Sequence, residues 1–499
     1  MKTCFVVFNF LLVLSVSAQE NIVYHLPSKE ILALADFERA PSVNMDTKKE
    51  YMLLSYRNTY KTLDELNQEE IRLGGLRINP ITNISSTMSY INNLKIRKIS
   101  GSSEVQVSGL PKNPKIAYVS WSPNEQKIAF TNTTNTGVEL WFINVATAEA
   151  TKITDANLNA NLGSPYNWMI DNETLLVKIL PKNRPALIDV KKDLPKGPTV
   201  MISDGSKSQN RTYPDLLKNK VDEDNFDALV TSELYKVSLS GAIELFKSQA
   251  IYTGESYSPD GKYLLLTTIK KPYSYIVPLS RFPQTTTIYD NSGKEIKVVN
   301  EVPLSEIMPK GFSSVRKGKR NMSWRSDKPA TLGYVIALDE GDQANKVDFR
   351  DELFQWEAPF TSEATSITKI QQRFSGIIWG NETLAIVYDD WYDTRNTKTY
   401  LINPSNPSQA PKIIFDRNSQ DIYADPGNFE TKKNQFNREV LAIENGNIYL
   451  IGDGNTKDGQ FPFIDEFNLQ TLKSKRLYTS KMKDKKEDLL GIEDFKKGE

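Results

Sequence analysis

Hydrolytic chemistry needs a nucleophile, a base and a group that orients the base, and this chain supplies few of the residues for it. It has one histidine, His25, and one cysteine, Cys4. An α/β-hydrolase site places Ser in Gly-x-Ser-x-Gly at a strand-to-helix turn, with an Asp and then a His later in the chain. No Gly-x-Ser-x-Gly occurs, and His25 precedes every serine that could serve in a mature chain. No catalytic residue is therefore assigned. Zinc would have to be held almost wholly by carboxylates, which is uncommon. Asp339-Glu-Gly-Asp342 with Asp348, Arg350 and Asp351 is an acidic cluster, and Asp453-Gly-Asn-Thr-Lys-Asp-Gly459 resembles a calcium loop, but Lys457 and Asp458 stand where a ligand and a glycine belong. Both read as hairpin turns. Leu73-Gly-Gly-Leu76 lacks the Lys and Ser/Thr of a phosphate loop. No metal and no cofactor are expected. Paired carboxylates for glycoside hydrolysis are a spatial arrangement, which the 62 acidic residues leave open.

The elements that would position any such group begin after an export signal. Lys2, the apolar run Phe5 to Val16 and the small residues Val16-Ser-Ala18 read as a signal peptide over 1–18, too short to span a bilayer. Export as a periplasmic or secreted protein follows. With Cys4 inside the signal, the mature chain has no disulfide and must rely on its core. Basic and acidic residues balance at 62 each, so neither a nucleic-acid stripe nor a solvated acidic arm is indicated. No later stretch suits a membrane.

Repeats decide the fold. Val119 to Phe130 reads as strand, turn and strand, and Leu140 to Val145 and Ala150 to Thr154 complete four short strands in the length of one propeller blade. The grammar returns at Glu255 to Leu266 around Ser-Pro-Asp-Gly, whose Pro presets one turn position and whose Gly tolerates positive φ. Weaker copies follow Trp168, Trp324, Trp379 and Gly446, and another begins near Val43. Trp121, Trp168, Tyr257, Trp324 and Trp379 hold similar places and are expected to pack between blades. The fold class is all-β, a propeller of about seven four-stranded blades with two partly helical insertions. The expected division is a signal peptide at 1–18, an N-terminal segment at 19–41, the propeller at 42–480 and a linker at 481–499. The insertions fall at about 61–90 and 182–226, with helix expected at Leu63 to Arg72 and Tyr213 to Asn219. Strands are legible at 448–451, 463–468 and 476–479, which leaves the last blade one strand short.

Longer phrases carry a resemblance. These are Arg72-Leu-Gly-Gly-Leu-Arg-Ile-Asn-Pro80, Arg211-Thr-Tyr-Pro-Asp-Leu-Leu217, Arg281-Phe-Pro283, Asp389-Asp-Trp-Tyr-Asp-Thr-Arg395, Asp416-Arg417 with Asp421-Ile-Tyr-Ala-Asp-Pro-Gly427, and Phe461-Pro-Phe-Ile464. From about Pro27 to about Tyr478 the chain resembles the propeller half of the prolyl oligopeptidase family, closest to its glutamyl endopeptidase-like branch. The resemblance implies a following α/β-hydrolase domain that holds Ser, Asp and His, with the propeller limiting which peptides reach it. That half is not within the 499 residues, so no triad residue carries over. The implied partners are peptide substrates and the hydrolase domain. If cleavage follows glutamate, a cation must meet that carboxylate. Arg281 and Arg395, both in family-like phrases, are the candidates; the alternative for each is a structural ion pair. The competing functions are a stand-alone propeller that binds peptides or proteins, and a glycan-active propeller. The purified chain is expected to show no serine-peptidase activity, and stoichiometric labelling of one serine by a fluorophosphonate probe would contradict this.

Overall fold

The computed structural model describes residues 27–189, 212–492 and 494–495, so the proposed signal segment and His25 lie outside it. Helix α1 (Lys29–Ala35) precedes the first strand and buries none of its residues. Thereafter the chain forms antiparallel four-strand meanders in sequence order. The first blade is Ser42–Met45, Tyr51–Tyr56, Asn93–Lys98 and Glu104–Gln106; the second is Ile116–Trp121, Lys127–Thr133, Val138–Asn144 and Glu149–Lys152. The third runs Tyr166–Trp168, Thr174–Ile179, Ser232–Ser238 and the first part of Ile243–Tyr257. That fifteen-residue strand continues as the first strand of the fourth blade, with Tyr263–Ile269, Gln284–Asp290 and Glu295–Val302. The fifth is Arg320–Trp324, Thr331–Ala337, Asp351–Glu357 and Thr365–Ile370. The sixth is Arg373–Asn381, Leu384–Trp391, Asn396–Ile402 and Lys412–Asn418. The last pairs Asn428–Phe429, Asn447–Gly452, Phe463–Asn468 and Lys473–Thr479. The fold is an all-β propeller. Among the described residues no helix is long and apolar enough to cross a membrane.

Three expectations change. The last blade is not a strand short. Its first strand, Asn428–Phe429, is two residues long, too brief for alternation to reveal. The first insertion holds only α2 (Leu63–Leu66), closed by a capping box between Thr62 and Glu65, before a hairpin turns on Gly74 and Gly75 at φ 61° and 89°. In the second insertion the helix is α3 (Lys220–Val230), not Tyr213 to Asn219. The Asn219 side chain caps it by accepting the Asp222 amide at 2.9 Å. Acidic residues in its first turn had masked a buried face of Phe226, Ala228, Leu229 and Val230.

The first strands of the second to fifth blades end on an aromatic ring, for a physical reason. The Trp121 indole N–H donates to Asn44 Oδ1 at 2.5 Å, that of Trp168 to the Ser120 carbonyl at 3.3 Å, and that of Trp324 to the Ser256 carbonyl at 2.9 Å. In each case the ring fills an inter-blade space and its one donor reaches the preceding blade's first strand, satisfying a polar handle that burial would otherwise orphan. Trp379 packs instead against Gly333, where an added Cβ would come within 3.3 Å of the ring. In the Ser258-Pro-Asp-Gly261 turn, Asp260 Oδ1 accepts the Ser258 hydroxyl at 2.7 Å and the Lys262 amide at 3.1 Å. Gly261 sits at φ 68°, with Ile170 at 2.7 Å from where its Cβ would be.

Asp389, in the sixth blade, has no exposed surface, and its carboxylate accepts the Tyr400 hydroxyl at 2.7 Å and the amides of Gln372 at 3.0 Å and Lys398 at 3.2 Å. Burial pushes its pKa up to about 6, against those hydrogen bonds. A carboxyl raised above its unfolded value favours folding while protonated, and that contribution is lost as pH rises from about 4 through about 6. Relative to Asp389→Asn, the parent chain is expected to lose roughly 3 kcal/mol across that window, read from denaturation midpoints at each pH.

Candidate functional face

In a meander the link between the second and third strands and the link to the next blade leave by the same end. That end carries the large apolar residues left in solvent. Twelve of the exposed large hydrophobics lie in these connections, among them Tyr60, Leu63, Ile307, Phe312, Tyr392 and Tyr423; the connections at the opposite end carry one, Ile170. Clustering of this kind marks an interaction surface, since single exposed apolar residues are otherwise scattered.

Beneath the face, between the fifth and sixth blades, lies a buried ion network. Asp339 Oδ2 accepts Arg350 Nη1 at 2.7 Å and Arg373 Nη2 at 2.5 Å. Asp351 accepts Arg373 Nη1 at 2.9 Å and the Phe374 amide at 2.7 Å, and it pairs with Arg320. Arg373 Nε donates to the Ser313 carbonyl at 2.7 Å, and Ser313 Oγ accepts the Tyr392 amide at 3.0 Å. Three guanidinium groups and two carboxylates thus fasten the connections that hold Ser313, Asp339 and Tyr392. The acidic cluster does lie in the hairpin connection between Thr331–Ala337 and Asp351–Glu357, and two of its carboxylates, Asp339 and Asp351, are also the core of this network; Arg320 and Arg373, which open consecutive first strands, were the sequence signal for it.

Above the network stands an exposed stack. The rings of Phe312 and Tyr392 are 4.2 Å apart and 28° from parallel, and the Arg395 guanidinium lies 3.6 Å from the Tyr392 centroid. No periodicity in the sequence pairs Phe312 with Tyr392. Arg395, at φ 56° in the hairpin between Leu384–Trp391 and Asn396–Ile402, has no acidic partner among the described residues. Arg281 ends a 3₁₀ turn, Leu279–Arg281, in the fourth blade's connection; it too lacks an acidic partner there and reaches Tyr213 Oη at 3.5 Å. Both candidates lie in second-to-third-strand connections, but no described contact joins them. A guanidinium held on a ring face keeps its in-plane donors for a carboxylate.

These features define a β-propeller with one apolar, arginine-bearing end. No family model matches the chain. It is similar, at 36% identity over 92% of its length, to a protein of Oryza sativa subsp. japonica named probable glutamyl endopeptidase, chloroplastic. A protein of the same name from Arabidopsis thaliana is 34% identical over 95% of the chain. The chain spans about half of each relative, 51% and 52%. A solved prolyl endopeptidase structure covers 91% of the chain at 12% identity and a TM-score of 0.45, with 52% of that structure matched.

Arg373→Ala is expected to cost roughly 3 kcal/mol, because it removes one of the two guanidinium partners of each buried carboxylate, leaving Asp339 to Arg350 and Asp351 to Arg320. Arg395→Ala is expected to cost about 1 kcal/mol or less, as for a half-buried cation on a ring. Urea denaturation of the two variants separates the structural arginine from the one available to a ligand.

Proposed function

We propose that this chain is the propeller of an exported serine peptidase, which caps an α/β-hydrolase domain and limits the peptides that reach it. The concentration of solvent-exposed apolar side chains at one end carries this reading, because a partner surface must cover them. The propeller's first and last strands agree: Ser42–Met45 begins and Lys473–Thr479 ends at that same end. The relatives' printed name and their roughly doubled length support a peptidase partner. The segment Lys2 to Ala18 supports export to the periplasm or outside the cell. Arg395 and Arg281 are the residues proposed to meet a substrate glutamate. The remaining alternative, a stand-alone peptide- or protein-binding propeller, would use the same end.

Co-expression with the hydrolase half of a glutamyl endopeptidase relative tests the proposal. The two halves should co-purify and cleave peptides after glutamate, and Phe312→Asp with Tyr423→Asp should abolish co-purification without moving the melting temperature. Arg395→Ala should lower the preference for Glu over Ala substrates about tenfold or more, as for loss of a charge-assisted pair. Retained co-purification in the double variant, with loss on changing Val105 and Ile413 of the outer strands to Asp, would place the contact elsewhere and overturn the reading.

A further inference from the structure

The ring has one junction unlike the rest. Six buried apolar clusters each join neighbouring blades, from the first and second through to the sixth and seventh. Among the described residues no such cluster joins the seventh to the first. The first blade's leading strand, Ser42–Met45, is exposed throughout, with Val43 at 54% and Met45 at 43%. The strands of each blade follow one another in chain order, and none is shared across this seam.

Among the described residues, the hydrogen bonds and ion pair that the seventh blade makes with blades beyond the sixth come from one element. Between its first two strands the seventh blade carries a hairpin, Thr431–Lys433 paired with Glu439–Leu441. Its tip reaches three other blades. Asn437 Nδ2 donates to the Pro123 carbonyl at 2.6 Å in the second, Arg438 Nη2 to the Tyr257 carbonyl at 3.0 Å in the fourth, and Asn434 Nδ2 to the Ser326 carbonyl at 2.8 Å in the fifth. A loop of the seventh blade can touch the second, fourth and fifth together only by lying across the ring's axis. The axis is otherwise open to solvent, because Ser256, Asn321, Ser323 and Ser375 are exposed on first strands.

One carboxylate holds the hairpin to the seam. Glu125 Oε2 accepts the Thr47 amide at 2.9 Å and hydroxyl at 2.5 Å from the first blade, and Glu125 Oε1 accepts Lys433 Nζ at 3.1 Å from the seventh. Burial opposes its charge, but these donors outweigh burial and hold its pKa below the usual range. Ser122-Pro-Asn-Glu125 is the second blade's version of Ser258-Pro-Asp-Gly261, so Glu125 stands where the fourth blade has glycine, at φ 61°. A glutamate there is strained, and the strain persists only where surrounding contacts outweigh it.

We propose that the hairpin Thr431–Leu441 plugs the axial channel at the end away from the apolar face and, through Lys433 and Glu125, latches the seam between the last blade and the first. This does not rest on the peptidase reading and is tested on the chain alone. A cysteine at Ser256, next to the carbonyl that Arg438 holds, is introduced in a Cys4→Ser background. It is labelled with N-ethylmaleimide and with a 5-kDa poly(ethylene glycol) maleimide. Glu125→Gly, which restores the turn residue, and the pair Asn437→Ala with Arg438→Ala should each raise the rate for the large reagent about tenfold or more, leaving the small reagent's rate unchanged. Glu125→Gly should also speed hydrogen exchange at 42–56 while exchange in the fourth and fifth blades stays as in the parent. Unchanged large-reagent rates in both variants would overturn the plug, and unchanged exchange at 42–56 in Glu125→Gly would overturn the latch. Faster exchange throughout would mean the residues serve general folding, which also overturns it.

Discussion

Everything in this molecule depends on closing a ring without a covalent or shared-strand link. Each blade buries its apolar faces only against its neighbours, so the two terminal blades are short of cover unless they are brought together. Along the chain the requirement is met by hydrophobic packing and by indole N–H groups that bridge adjacent first strands. At the last junction it is met by a carboxylate, a lysine and a hairpin. Polar closure is weaker per contact than apolar burial and more directional, and it fixes register at the one place where the chain's own continuity cannot.

The two ends of the ring are built by different means. At one end the turns between first and second strands are short in every blade but the seventh, and the aromatic rings beside them converge on a crevice of about 520 Å³ that includes Trp121, Trp168 and Tyr257. At the other, long connections carry Phe312, Tyr392 and Arg395, and their shape is set from below by Asp339, Asp351 and Arg373. Burying three guanidinium groups with two carboxylates is costly unless geometry is well satisfied. The reward is positional: each carboxylate meets donors from two separate stretches of chain, so the exposed stack stands on a fixed base.

Much of this was legible in the sequence, and the rest was hidden for identifiable reasons. Ser-Pro-Asp-Gly and the recurring aromatics disclose the blade because turn chemistry and packing both act locally. Asn428–Phe429 was missed because two residues carry no period. The helix Lys220–Val230 was missed because its first turn is acidic and its apolar residues crowd into the last. The turn at Asp339 was legible, but the burial of Asp339 and Asp351 by Arg320, Arg350 and Arg373 was not, because it is a property of the tertiary fold. Arg281 and Arg395 were singled out by phrase alone. Each lies in a connection at the apolar end, and neither has an acidic partner among the described residues.

The strand Ile243–Tyr257 belongs to two blades at once. Its hydrogen-bonded ladder passes from one sheet to the next with no intervening loop, whereas every other junction between blades is a loop with packed side chains. The third and fourth blades are therefore joined by continuous backbone, the stiffest kind of junction in the ring. The ring has the mechanics of a C-shaped spring: its spine lies at that junction, its compliance is spread over the looped junctions on either side, and its gap is at the polar seam. Strain applied to the apolar end is expected to collect at that gap, the one junction with neither a continuous strand nor an apolar cluster among the described residues.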